Sequence, residues 1–190
     1  MGTLSFKERV DRVGQHIVRA RLFFDLWFYF EAERTRAKIL DTMEEYNAFF
    51  RYTPHAYLAT YVIYIAGVFE TGRSDTINLE SLVREAKLDG RLSSKYASSA
   101  ELILKEAKPI AKKVAILRHN AFAHRSAKTS YDDAFVRADV TPDQLRDLTD
   151  LALRVGNMLL SAAELQEQYF TSLPKAAAEK MMRALARKEG

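Results

Sequence analysis

The chain has 190 residues, a formal net charge of +4 at pH 7 and no cysteine. Hydrophobic residues make up 48% and charged residues 28%, so the chain is too apolar for intrinsic disorder and can bury a core of its own. The lack of cysteine excludes disulfides, a thiolate nucleophile, a cysteine-ligated zinc site and an iron–sulfur cluster.

Helices are predicted along most of the chain, because 7 glycines and 4 prolines provide few turns for a many-stranded sheet. Ser5 and Glu8 have the spacing of a capping box, which marks the start of the first helix. Its apolar residues follow in steps of three and four, namely Phe6, Val10, Val13, Ile17, Ala20, Phe24 and Trp27. We expect this helix to pack lengthwise against another helix.

The end of the first helix is rich in aromatic residues: Phe23, Phe24, Trp27, Phe28, Tyr29 and Phe30. We expect most of them in the core, with base stacking as the alternative. Because a helix that is apolar on all faces needs more than one partner, part of this segment is also a candidate dimer interface.

The next segments also have helical character. Residues 31–52 form a second helical stretch with a break, and Thr53 followed by Pro54 resembles another capped start. Residues 56–69 carry no charge and predict a buried helix, with strands as the alternative; they are shorter than the roughly 20 residues that cross a bilayer. Asn78 is a further candidate cap.

Two apolar seams predict a long helix pair in the second half of the chain. One contains Ile103, Ala107, Ile110, Val114, Leu117, Ala121 and His124, and Pro109 should kink or restart its helix. The other starts at a Thr141–Gln144 capping box and contains Leu148, Leu151, Val155, Met158, Ala162, Leu165 and Tyr169.

The parts of the chain outside these seams are less regular. Residues 126–140 are predicted to form a loop of about fifteen residues, a length that is often functional. We expect one domain over residues 1–170, followed over 171–190 by a short basic helix or tail that frays into solvent.

Basic residues are concentrated between residues 105 and 128, where a single anion, Glu106, accompanies seven cations. The cations are Lys105, Lys108, Lys112, Lys113, Arg118, Arg125 and Lys128. Such a stripe is typical of a protein that binds a polyanion through its phosphates, and a solvated helix face is the alternative.

The basic stripe contains the sequence Arg118-His119-Asn120-Ala121-Phe122-Ala123-His124. On a continuing helix Asn120 could reach the imidazole of His124, four residues away, and fix its tautomer. Arg118 and His124 would point about 120° apart on an ideal α-helix, so a bend or a second protomer is needed to bring them together. His119 and His124 also diverge, and no carboxylate within a turn completes a ligand set, so we expect no metal site and no cofactor.

The spacing of arginine, asparagine and histidine on the penultimate helix resembles the motif of the HEPN superfamily. More specifically, the chain is similar to the HEPN-like domain of the abortive-infection U family over about residues 10–165. The segments that carry this resemblance are VRARLFFDLWFYFEAERTRAKIL, YNAFFRYTPHAYLATYVIYIAGVFE, SDTINLESLVREAK and LRHNAFAHR followed by DVTPDQLRDLTDLA.

The resemblance implies an HEPN-like bundle of about five helices with long antiparallel core helices. It also implies a homodimer whose two motifs face one cleft, and a metal-independent endoribonuclease that leaves a 2′,3′-cyclic phosphate. Arg118 would then stabilise the charge on the phosphorane, His124 would act as general base and Asn120 would support their geometry. The candidates for RNA contacts are Lys108, Lys112, Lys113, His119, Arg125 and Lys128.

The resemblance also implies a toxin or a component of phage defence. We expect a cytoplasmic location without a membrane partner, because the N-terminus has no apolar signal segment. An antitoxin or another defence-system protein is a candidate partner. Ser126 stands where HEPN toxins with modifying antitoxins carry tyrosine, which argues against that kind of antitoxin. The alternative function is a non-catalytic module of the same fold that binds RNA or a protein. For His16 and His55 we expect structural roles.

Overall fold

The computed structural model describes residues 4–71, 76–122 and 130–187, and every regular element within these ranges is helical. The helices are α1 (Phe6–Glu31), α2 (Glu33–Glu45), α3 (Asn47–Phe50), α4 (Thr53–Phe69), α5 (Leu79–Leu88), α6 (Ser94–Leu117), α7 (Tyr131–Ala138), α8 (Pro142–Ala162) and α9 (Leu173–Ala186). A π-helical turn (Arg118–Phe122) continues α6. The all-α class is confirmed, but about five helices was too low a count because several short helices accompany the long ones.

The four long helices α1, α4, α6 and α8 form the bundle, and α1 lies antiparallel to α4. The ring of His16 packs edge-on to Tyr64, and further along α1 the ring of Phe23 packs near Tyr57. Desolvation at this contact lowers the pKa of His16, and the positive charges of Arg19 and Arg12 lower it further. His16 is thus an exposed residue whose ring packs on α4, and its structural role stays a prediction.

Helix α8 lies antiparallel to α1 on another side of the bundle. The Nη1 atom of Arg21 contacts Oδ1 of Asp150 at 2.7 Å, while Ile17 faces Gly156 one to two turns later on α8. A Cβ atom at residue 156 would lie 3.1 Å from Cδ1 of Ile17, so glycine allows the two helices to approach closely here.

The predicted seams supply most of the main core. Six of the seven seam residues of α1 are buried, and Trp27 is partly buried against the same core. The α6–α8 pairing is confirmed by the buried residues Ile103, Ala107, Val114, Leu117, Leu148, Leu151 and Val155. The seam of α8 was extended too far, however, because the helix ends at Ala162 and Tyr169 is 73% exposed.

A second, smaller hydrophobic cluster joins the end of α1 to α2, α3 and α9. Its buried residues are Tyr29, Phe30, Ile39, Met43, Phe50, Ala178 and Met182. The aromatic end of α1 is thus divided between two clusters within one chain, with Phe24 in the main core and Phe30 in the second. Through Ala178 and Met182, α9 packs back on the bundle instead of extending into solvent.

Three of the predicted helix starts are confirmed by side-chain caps. Ser5 and Thr141 form capping boxes with Glu8 and Gln144, and the Asn78 side chain accepts a hydrogen bond from the N–H of Ser81. The Thr53 cap is wrong. Its hydroxyl donates to the carbonyl of Phe49 at 2.6 Å, because α3 runs almost directly into α4 and leaves an unpaired carbonyl within reach.

The predicted loop over residues 126–140 is also wrong for its second half. Ser130 and Asp133 form a capping box that starts α7, and the helix ends at Asp139 in the left-handed conformation, with φ of 44°. Residues 126–129 lie outside the described residues.

Helix α6 runs without interruption through Pro109, so the chain does not restart there. Pro109 is exposed, and water can therefore bind the backbone carbonyl that proline leaves without a donor. Within the described parts of the chain, none of the helices, α4 included, has the length and apolar character needed to span a bilayer.

Tyr61 fastens α4 to the start of α8. Its ring is fully buried, and its hydroxyl donates to the backbone carbonyl of Leu145 at 2.7 Å. Burial raises the pKa of Tyr61 well above its usual range, so the phenol is protonated at neutral pH and can donate this hydrogen bond. The Thr149 hydroxyl also donates to the same carbonyl, at 3.0 Å.

We predict that Tyr61→Phe lowers the free energy of unfolding by about 1 kcal/mol, because it removes one buried hydrogen bond while the Thr149 donor remains. Urea denaturation measures this change. The matched control is Tyr52→Phe, on a ring that is 63% exposed, which should change stability by less than about 0.5 kcal/mol. Equal effects of the two substitutions would contradict the assigned role of the Tyr61 hydroxyl.

Candidate functional site

The candidate site begins where α6 stops being an α-helix. The α-helix ends at Leu117, and the motif residues Arg118 to Phe122 form a π-helical turn in which hydrogen bonds span five residues. The predicted angle of about 120° between Arg118 and His124 holds for an ideal α-helix that runs through both residues, so it does not apply to a π-helical turn. His124, Arg125 and Lys128 lie outside the described residues, so their predicted roles stay predictions.

Arg118 pairs with Glu70 at the end of α4. Its Nη1 atom lies 2.5 Å from Oε2 of Glu70, and the side chains are 25% and 21% exposed. Arg118 is the C-cap of α6 and Glu70 is the C-cap of α4, so the ion pair joins the C-terminal ends of two core helices. A partly buried guanidinium without a counter-charge would be costly, and Glu70 offsets this cost.

A groove of about 330 Å³ lies beside this ion pair, between α4, α5 and α6. Its charged and polar lining includes Lys108, Lys112, Arg118 and His119, all of them predicted as site residues. Two carboxylates, Glu70 and Glu80, also line it. The remaining lining residues are Ala66, Phe69, Thr71, Leu104, Ala111 and Ala115. Three basic side chains and two carboxylates therefore line the groove together with mostly apolar residues.

Lys113 lies away from this groove, although it is next to Lys112 in the chain. Its ammonium donates to the backbone carbonyl of Asp139, and it also lies 3.2 Å from the Asp139 carboxylate and 3.4 Å from Oε1 of Gln144. Lys113 thus joins α6 to the segment between α7 and α8. The structure does not bring it together with Lys108, Lys112 and His119, which are the other predicted RNA contacts among the described residues.

Asn120 bonds backward along the helix. Its Nδ2 atom donates to the carbonyl of Ile116 at 2.9 Å. In an α-helix the backbone N–H of residue 120 would bond to this carbonyl, but the π turn shifts backbone bonds to residues five apart, and the side chain supplies a donor in its place. The predicted contact between Asn120 and His124 lies outside the described residues.

Phe122 anchors the far end of the π turn. Its ring lies 5.6 Å from the His55 ring at the start of α4 and 6.1 Å from the Phe135 ring of α7. The side chains of the turn therefore reach towards both ends of α4, with Arg118 contacting Glu70 at its C-terminal end and Phe122 facing His55 in its first turn. His55 lies in the first turn of α4 and its ring faces Phe122, a position that agrees with the structural role expected for it.

Within residues 4–71, 76–122 and 130–187, no three histidine, aspartate or glutamate side chains are grouped as metal ligands.

Sequence comparison assigns the family. The AbiU2 family of HEPN domains matches residues 3–170, which is most of the chain. The chain belongs to the AbiU2 family. This confirms the resemblance to an abortive-infection HEPN domain that the Arg118 motif and the preceding segments predicted, and it identifies the helical bundle as HEPN-like. Neither the comparison with curated proteins nor the comparison with solved structures gave a match.

In this AbiU2 protein, sequence reasoning missed Glu70. The residue is the first charge after fourteen uncharged positions, from Ala56 to Phe69, and this isolation was the available signal. Its partner is 48 positions away in the chain, so no local spacing rule connects the two residues.

We predict that Asn120→Asp lowers the free energy of unfolding by about 1 kcal/mol at pH 7. The change removes a donor to the Ile116 carbonyl and places an anion at the negative end of α6. Thermal unfolding measures it, and the loss should shrink below about pH 4, where the new carboxyl is protonated. The control Asn47→Asp, at an exposed position of α3, should change stability by less than about 0.5 kcal/mol. A similar loss in both variants would contradict the assigned contact.

Proposed function

We propose that this AbiU2 protein is a metal-independent endoribonuclease of prokaryotic phage defence that acts in the cytoplasm as a toxin. The observation that carries the proposal is the position of the family motif: Arg118 lines a groove together with Lys108, Lys112 and His119. Guanidinium and ammonium groups bind phosphate oxygens, and a groove is the shape that a nucleic-acid strand needs. Membership of an abortive-infection family supports the same role.

The proposed reaction is a transesterification, in which the ribose 2′-oxygen replaces the 5′-oxygen on the phosphorus. His124 takes the proton of a ribose 2′-hydroxyl, and the 2′-oxygen attacks the adjacent phosphorus. The bond from phosphorus to the 5′-oxygen then breaks and this oxygen takes up a proton from water, which gives a 2′,3′-cyclic phosphate and a 5′-hydroxyl end. Arg118 stabilises the negative charge that grows on the phosphorane oxygens, and Asn120 keeps the turn in shape through Ile116.

We further propose that the protein acts as a homodimer whose two motifs share one cleft, with RNA as ligand and an antitoxin or another defence protein as partner. The outer surface of α4 supports a dimer. This helix has no charged residue from Ala56 to Phe69, and Ile63 on it is 49% exposed. An uncharged helix surface next to the motif can pack against a second copy without burying charge.

The central prediction concerns RNA cleavage in EDTA. We expect the purified protein to cut RNA and leave cyclic phosphate ends, and we expect Arg118→Ala and His124→Ala each to reduce the rate by at least about a hundredfold while the protein stays folded. End-group analysis of the products and circular dichroism of the variants are the measurements. Expression toxicity should be lost with His124→Ala.

The alternative function, a non-catalytic module that binds RNA or protein, makes the opposite prediction. If wild-type protein binds RNA without cutting it, or if neither substitution changes cleavage or toxicity, the endoribonuclease proposal is wrong.

Adjacent lysines provide a matched test of the RNA surface. Lys112→Ala should weaken RNA binding and reduce the slope of log affinity against log salt by roughly one, because one phosphate contact is lost. Lys113→Ala should leave that slope unchanged, because its ammonium is bound to Asp139 outside the groove. Fluorescence anisotropy with a 2′-O-methyl RNA at several salt concentrations measures both. A larger loss of slope for Lys113→Ala would place the RNA on the other face of α6.

A further inference from the structure

Glu70 occupies a position that helix α4 itself does not favour. It is the C-cap of α4, and a carboxylate at a helix C-terminus meets the negative end of the helix dipole. A carboxylate has no proton to donate to the unpaired carbonyls at this end of α4. The described contact of this carboxylate is with Arg118, 2.5 Å away, on the wall of the groove. The position of Glu70 is therefore explained by Arg118 and not by the helix that carries it.

Arg118 has more donors than this contact uses. A guanidinium offers five N–H donors in one plane, and Glu70 accepts from Nη1. A carboxylate that holds one edge of the plane fixes the direction of the remaining donors, as supporting carboxylates do for metal-binding and catalytic histidines. The side chain of Arg118 is 25% exposed, so the bound guanidinium still faces solvent in the groove.

We propose that Glu70 is a positioning residue that orients the Arg118 guanidinium toward the phosphate undergoing reaction. The inference rests on the proposed function, because it assumes that Arg118 meets a phosphodiester. A phosphorane carries more negative charge than the ground-state phosphodiester, so a fixed guanidinium stabilises the transition state more than the bound substrate. The Glu70 carboxylate also repels the substrate phosphate. Loss of Glu70 should therefore lower kcat without raising KM.

The test compares Glu70→Ala, Glu70→Gln and the control Glu101→Ala in the cleavage assay. Glu70→Ala should lower kcat at least about tenfold with KM unchanged or reduced. Glu70→Gln keeps an oxygen acceptor of the same size for Nη1 and should retain kcat within about threefold. Glu101→Ala breaks another ion pair between helices, with Lys87 at 2.7 Å and both side chains about half exposed, and should behave as wild type. Thermal unfolding of each variant confirms that it is folded.

A second measurement does not depend on cleavage. In ¹⁵N-resolved NMR spectra, the Arg118 Nε–H resonance, assigned with Arg118→Lys, should be sharp in wild type and move on titration with inorganic phosphate. Glu70→Ala should broaden or shift this resonance before phosphate is added, and Glu101→Ala should not. If wild-type protein cleaves no RNA, the proposed function fails, while the NMR comparison still decides whether Glu70 fixes Arg118.

Three results would overturn the inference. An unchanged Arg118 resonance in Glu70→Ala would show that the carboxylate does not hold the guanidinium. A kcat above wild type in Glu70→Ala would show that Glu70 competes with the phosphate. A rise in KM alone would assign Glu70 to substrate binding and not to orientation.

Discussion

The contact between Arg118 and Glu70 depends on the meeting of two helix ends. Arg118 closes α6 and Glu70 closes α4, and each backbone end presents carbonyl groups whose partial negative charge favours a cation. A guanidinium is therefore stabilised twice at this point, by the Glu70 carboxylate and by the two helix ends. Any displacement of α4 along α6 would separate the pair, so the site geometry depends on how firmly the bundle holds α4.

Three contacts fix α4 from different directions. Tyr61 ties the middle of the helix to the backbone of α8, Tyr64 packs on α1, and Phe122 packs on the first turn near His55. These contacts lie along most of the length of the helix and involve different neighbours. The π turn between Arg118 and Phe122 therefore packs against a helix that is already fixed, and this packing holds Arg118 beside Glu70 although the backbone is locally irregular.

The sequence predicted those features whose partners are close together in the chain. The caps at Ser5, Asn78 and Thr141 were correct because donor and acceptor are three residues apart. The seams were correct as far as Leu117 on α6 and Ala162 on α8, because the apolar periodicity of a helix marks its buried face. The predicted cap at Thr53 was wrong because its hydroxyl donates instead to the Phe49 carbonyl of the neighbouring helix α3. Helix α7 was missed even though Ser130 and Asp133 form the same capping box, since eight residues give too short a periodic pattern.

The site could be predicted only in part. A sequence shows how many charges lie close together along the chain, but not which charged side chains are close in the folded protein. Lys112 and Lys113 counted equally in the basic stripe, but consecutive residues on a helix point in different directions. In the structure Lys112 lines the groove and Lys113 pairs with Asp139. Glu70 and Glu80 further reduce the charge of the groove. The groove therefore holds far less net positive charge than the stripe suggests. If the groove binds RNA, phosphate binding must depend on the positions of single cations such as Arg118 more than on the total charge of the surface.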